Sequence, residues 1–203
     1  MNHPLILALL TFGGLYVAKL WRDDLRAART GHPQANAFPG ATPAPRRIVV
    51  IAVIGALALL ALETMGEFAL GIADEQSTIT WLFALYSIGG APIIEELIFR
   101  GWLVIEHRGR SILWMGAVAA SLLFAFCHPF LWQWDEAGFT LTPTLKGGFS
   151  TLVLFASSIW FYAVRLGSWN PPRSLLPCFA AHAAKNLGVV AIKATSGFVV
   201  GLW

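Results

Sequence analysis

Six polar side chains stand inside apolar sequence: Glu95, Glu96, Arg100, His128, His182 and Asn186. Each type has a use in hydrolysis. A carboxylate can take a proton from water, an imidazole can share it, and an amide can hold the charge that develops on a carbonyl oxygen. Glu96 and Arg100 are four residues apart, so on a helix they share a face and can pair. Glu95 points about 100° away and stays free. His182 and Asn186 are also four apart, among Ala180, Ala181, Ala183 and Ala184, which are small enough to let another helix approach. Lys185 points elsewhere and is expected to snorkel or to pair with a carboxylate. His128 precedes Pro129 and is expected at a helix C-terminal turn. Singly, these residues read as a Glu–Arg strut, a helix cap and an interhelical hydrogen bond. Together they are more economically explained by one shared polar pocket.

Such a pocket must be positioned by elements that live in lipid. Of 203 residues, 57% are hydrophobic and 12% charged, against about 45–50% and about 25% in soluble domains. That excludes a soluble enzyme, a nucleic-acid partner and a disordered chain, and two cysteines do not make a disulfide scaffold. A membrane span needs about 20 mainly apolar residues. Six stretches qualify: about 4–21, 48–70, 79–105, 111–128, 148–164 and 175–195. Backbone groups in lipid must be satisfied within the segment, so each is a helix. The expected fold is an all-α polytopic transmembrane bundle of about six spans with short loops, a single membrane domain over 1–203. Residues 30–45, rich in Pro, Gly and Ala, read as a flexible loop. Gly89, Gly90 and Pro92 interrupt the third stretch, and a helix starting at Pro92 would put both glutamates in its first turn, where the helix dipole favours them.

Charge gives an orientation. Loops 22–47, 106–110 and 165–174 carry Arg22, Arg26, Arg29, Arg46, Arg47, Arg108, Arg110, Arg165 and Arg173. The alternate loops carry Asp74, Glu75, Asp135, Glu136 and Lys146. The positive-inside rule makes the arginine-rich loops cytoplasmic and puts the N-terminus outside, with the first stretch an uncleaved span. Trp81, Trp132, Trp134, Trp160 and Trp169 near span ends fit an interfacial aromatic belt. Cys127 and Cys178 read as buried small hydrophobes.

Glu-Glu-x-x-x-Arg at 95–100, Phe-x-x-x-His at 124–128 and His-x-x-x-Asn at 182–186, in this order on successive apolar helices, resemble the CPBP family of intramembrane proteases. This is the CAAX-processing and bacteriocin-processing group. The resemblance covers about residues 79–190. It implies an endopeptidase cutting a peptide bond of a membrane-embedded or membrane-anchored substrate near or within the bilayer. By position, Glu95 would activate water, Glu96 would support it and pair with Arg100, and His128 would position water or substrate. His182 and Asn186 would complete the site and stabilise the oxyanion. Phe124 belongs to the His128 motif as a supporting residue. The family is described both as metal-dependent and as glutamate-based. The glutamate route is favoured here and no cofactor is assigned; zinc, if used, would fall to Glu95, His128 and His182.

Two other classes compete: a small ion-coupled transporter using the same carboxylates, and an immunity or scaffold protein that binds a peptide without cutting it. The composition fits a bacterial inner membrane. Straight helices raise one difficulty. Counted by helical rise, Glu95 and His182 lie about 15 Å from the arginine-rich side and His128 about 25 Å. Convergence then requires tilt or a displaced fourth helix.

Overall fold

The computed structural model describes residues 3–136 and 138–203. Six helices form: α1 Pro4–Arg29, α2 Arg46–Leu70, α3 Trp81–Trp102, α4 Arg110–Phe126, α5 Leu145–Leu166 and α6 Leu176–Thr195. By length and composition α1, α2, α3 and α5 can each cross a membrane. At 17 residues α4 is shorter, about 26 Å by helical rise. α6 carries His182, Lys185, Asn186 and Lys193, polar residues that a lipid-facing span would lack. The protein is an integral membrane protein with an all-α bundle. Six helices were expected and six are present among the described residues, four of them long and apolar enough to cross a membrane.

Local sequence sets the helix ends. The Thr80 hydroxyl accepts from the backbone N–H of Phe83 at 3.2 Å, and Thr144 accepts from Gly147 at 2.9 Å, capping α3 and α5. Gly71, with φ 69°, takes the left-handed conformation that stops α2. Pro4 and Pro177 sit in the first turns of α1 and α6, where their missing N–H costs nothing.

Helix α3 departs from expectation in an informative way. It begins at Trp81, so the glutamates are mid-helix rather than at an N-terminus. Two widened π-helical turns, Tyr86–Gly90 and Leu97–Trp102, flank the α-helical Ala91–Glu96. A proline inside a regular helix clashes with the carbonyl four residues back. The wide turn before Pro92 relieves that clash, and the helix continues. At the same turn α1 comes very close: a Cβ on Gly14 would stand 2.6 Å from the Gly90 Cα. Gly14→Val should therefore push α1 off α3, at a cost of about 1–3 kcal/mol. The check is a lower melting temperature in detergent; an unchanged one would show that the contact is dispensable.

The core lies between α2, α5 and α6. Ala52 and Ala56, Phe161 and Val164, and Cys178 and Ala181 pack there, with Leu97 from α3 and Trp21 from α1. Small residues let backbones approach without a hydrophobic drive from water. Trp160 belongs to this interior rather than to an interfacial belt. Its indole N–H donates to the Ala52 carbonyl at 3.0 Å, and a Cβ on Gly55 would collide with its ring. Cys178 is buried as expected, but Cys127 is exposed because α4 has ended there.

Two connections also differ from expectation. Between α4 and α5 the chain forms a hairpin, β1 Trp132–Asp135 paired antiparallel with β2 Gly138–Leu141, where a short loop was expected. Residues 103–109 leave the helix. The connection bends, with His107 in the left-handed region at φ 65°, and it lets α4 start beyond the end of α3. That removes the depth difficulty: Phe99 meets Phe124 with ring centroids 4.9 Å apart, which levels His128 with the glutamates one turn away.

Candidate active site

Glu96 and Arg100 are both 0% exposed, with Arg100 Nη1 donating to Glu96 Oε1 at 3.1 Å. The other guanidinium nitrogen, Nη2, donates to Ser158 Oγ at 2.6 Å, and Ser158 in turn donates to Ser121 Oγ at 2.8 Å. One chain of hydrogen bonds thus ties α3 to α5 and α4. The guanidinium carbon also lies 4.5 Å from the centre of the Phe124 ring, 5.3 Å from that of Phe161 and 5.1 Å from that of Tyr162. These faces favour a cation where water is absent.

The same Glu96 oxygen receives His182 Nδ1 at 2.8 Å. A carboxylate oxygen accepts, so Nδ1 is the protonated nitrogen and Nε2 faces the free carboxylate. Nε2 is 3.7 Å from Glu95 Oε2, longer than a hydrogen bond. The imidazole is stacked on Phe161 with centroids 5.3 Å apart, which fixes its plane. Glu95 accepts no hydrogen bond from the described residues, and its side chain is 22% exposed. The division expected from spacing is therefore present: one carboxylate neutralised and buried, its neighbour turned into open space.

That space is a chamber of about 220 Å³ lined by Glu95, His128, His182 and Asn186, among others. His128 donates from Nδ1 to the Phe124 carbonyl at 2.9 Å, and its ring stacks on Phe130. Phe124 is 4.9 Å from the His128 ring and 6.3 Å from His182, centre to centre, so it spaces the two imidazoles. Asn186 donates from Nδ2 to the Ser87 carbonyl at 2.7 Å. An amide nitrogen has two hydrogens, so one remains for a ligand. All seven residues singled out from the sequence meet at this place: four on the chamber wall, and Glu96, Arg100 and Phe124 packed behind it.

Residues outside the motifs complete the site, and Lys185 finds the carboxylate partner that was one of its two expected fates. Lys185 pairs with Glu63 of α2 at 2.8 Å, so a helix outside the motifs contributes a carboxylate. Glu67 pairs with Lys146 and accepts from Gln76 at 2.7 Å. Tyr86 and Ser87 come from the first wide turn of α3. Ser121, Ser158 and Tyr162 had no signal beyond being polar in an apolar run.

The three residues considered for zinc do not close into a ligand set. Among the described residues no three His, Cys, Asp or Glu side chains gather closely enough to hold a metal ion. Each imidazole donates through Nδ1, one to Glu96 and the other to a carbonyl, which leaves both Nε2 atoms as acceptors. As arranged, Glu95, His128 and His182 are spaced too widely to share one ion.

In comparisons with known proteins, residues 77–188 match the family model described as type II CAAX prenyl endopeptidase Rce1-like. The match covers just over half of the chain and all seven of the residues singled out from the sequence. No curated protein and no solved structure matches.

Proposed function

The chain belongs to the Rce1-like family of CAAX-type membrane endopeptidases, and from that premise we propose that Glu95 drives hydrolysis of a peptide bond in a membrane-anchored substrate. The observation that carries this reading is the free Glu95 carboxylate facing an imidazole whose far side is locked by a fully buried Glu96–Arg100 pair.

Water held between Glu95 and His182 gives a proton to Glu95 as its oxygen attacks the peptide carbonyl carbon. The oxyanion that forms accepts the second Nδ2 hydrogen of Asn186. His128 Nε2 orients the water or the substrate. The tetrahedral species collapses as the C–N bond breaks, and Glu95 returns its proton to the departing amine. Glu96 and Arg100 act through His182 and are positioning residues. His182 Nε2 and Glu95 Oε2, 3.7 Å apart, are both acceptors, so a water that donates to each is what joins them. The whole chain works as one membrane domain, placed in a bacterial inner membrane with its N-terminus outside.

A carrier must open alternately to both sides. The match to an endopeptidase family favours hydrolysis over that reading.

The direct test is purified protein in detergent with a membrane-anchored peptide, its products identified by mass spectrometry. Cleavage is expected to persist in chelator, in protein prepared without a metal-binding tag. Stoichiometric zinc, with activity lost on its removal, would replace the glutamate route. Asn186→Ala is expected to lower kcat by about 10²–10³-fold with little change in melting temperature. A raised KM with kcat unchanged would make Asn186 a substrate-binding residue instead.

A further inference from the structure

The two ends of the chamber differ in burial, although both carry tied segments, the chain after α6 bonding to Ile79, Trp81 and Leu82 at the end away from the arginines. Toward the arginine-rich end it is sealed. Leu97, Arg100, Tyr162, Leu175 and Cys178 are buried beneath Glu95 and His182. Beyond them the loops are tied together: Leu175 N–H donates to the Gly40 carbonyl at 3.0 Å, Ser174 Oγ to the Thr42 carbonyl at 2.5 Å, and Arg173 pairs with Glu106 at 3.0 Å. Toward the other end the wall continues upward through Phe83, Ser150 and Lys193, near the opposite ends of their helices, and through Ile79 and Phe130 in the connections beyond them.

The flank between α3 and α4 is also open there. The first half of α3 packs on α1 and α6, and only its last stretch, Leu97–Trp102, reaches α4 and α5. Above this gap stands the hairpin, with Trp134, Phe139 and Leu141 exposed. Aromatic side chains on an exposed hairpin suit the membrane–water boundary.

The arginines fix which side this is. The nine arginines other than Arg100 lie at the sealed end, in its connections and the helix turns beside them, and the positive-inside rule assigns that end to the cytoplasm. We propose that the chamber opens on the extracytoplasmic side. Its substrates are then membrane-anchored peptides whose scissile segment lies at the outer boundary of the bilayer, approaching between α3 and α4 beneath the hairpin. A lipidated tail presented from the cytoplasm would meet only the sealed floor. The substrate half of this proposal rests on the peptidase reading above; the orientation half does not.

The test labels single cysteines in the full chain carrying Cys127→Ser, leaving the buried Cys178 in place. Right-side-out and inverted membrane vesicles are treated with a membrane-impermeant trimethylammonium methanethiosulfonate. His32→Cys marks the arginine-rich face, Thr140→Cys the hairpin, and Ser150→Cys the chamber, with Phe83→Cys as a second chamber probe should Ser150→Cys fail to fold. Thr140→Cys and the chamber probe are expected to react only in right-side-out vesicles, and His32→Cys only in inverted ones. A chamber probe that reacts from the His32→Cys face overturns the proposal, as does one that reacts from neither. Two reporters with the same anchor, one with its cleavable segment outside and one inside, complete the test. Cutting of the outer reporter is expected, and preference for the inner one overturns the substrate assignment. If neither is cut while labelling follows expectation, the peptidase reading fails and the outward chamber stands.

Discussion

Glu95→Gln is expected to reduce peptide cleavage by about 10³–10⁴-fold, the upper part of what a positioned base contributes, in a protein that folds as before. Gln keeps the size and polarity of the side chain and removes its ability to accept a proton. Stability should hold because Glu95 accepts no hydrogen bond from the described residues and is partly exposed to the chamber. The companion change Glu95→Asp keeps the charge and withdraws it by one methylene, so it should retain part of the rate. Product formation by mass spectrometry, with a melting curve on the same preparation, reads both halves. A Gln variant that cuts at the parent rate would remove Glu95 from the chemistry.

Arg100→Met carries the largest expected effect on stability. It leaves Glu96 wholly buried, with the His182 Nδ1–H as its remaining hydrogen-bond partner and the Ser158–Ser121 pair without its donor. Breaking one side of a buried ion pair typically costs about 3–5 kcal/mol, and replacing both sides with apolar groups recovers much of that. Glu96→Leu together with Arg100→Met should thus melt nearer the parent than Arg100→Met alone. It should still be inactive, because His182 Nδ1 loses the acceptor that fixes its tautomer and direction. Recovery of stability without activity separates packing from positioning. If Arg100→Met melts like the parent, the network is not what holds α3 to α5.

Long apolar runs in the sequence mark the helices because lipid permits little else. Polar residues inside them mark the site because their burial is costly. The i, i+4 spacing yields the Glu96–Arg100 pair and leaves Glu95 free. The features hidden from the sequence depend on partners distant in the chain. The wide turn at Tyr86–Gly90 is coupled to α1 pressing Gly14 against it. Ser158 looks like any helix serine until Arg100 reaches it from 58 residues away. The depth of His128 could not be counted from span lengths, since 103–109 is irregular rather than helical. The hairpin had a local signal, alternating Trp132-Gln-Trp-Asp and a glycine at 138 with φ 100°, but so brief an alternation is outweighed by the apolar runs beside it.

The family match begins at residue 77, yet the two helices before it are woven into the matched region. α1 closes on Gly90, and α2 runs along α6 and hands Glu63 to Lys185. During synthesis those two helices enter the bilayer first and wait there as a mould. The motif-bearing helices, burdened with charge and poor at inserting alone, arrive against surfaces already shaped to receive them. A gene trimmed to the matched region would deliver the chemistry without its berth, and quality control rather than lost catalysis would decide its fate.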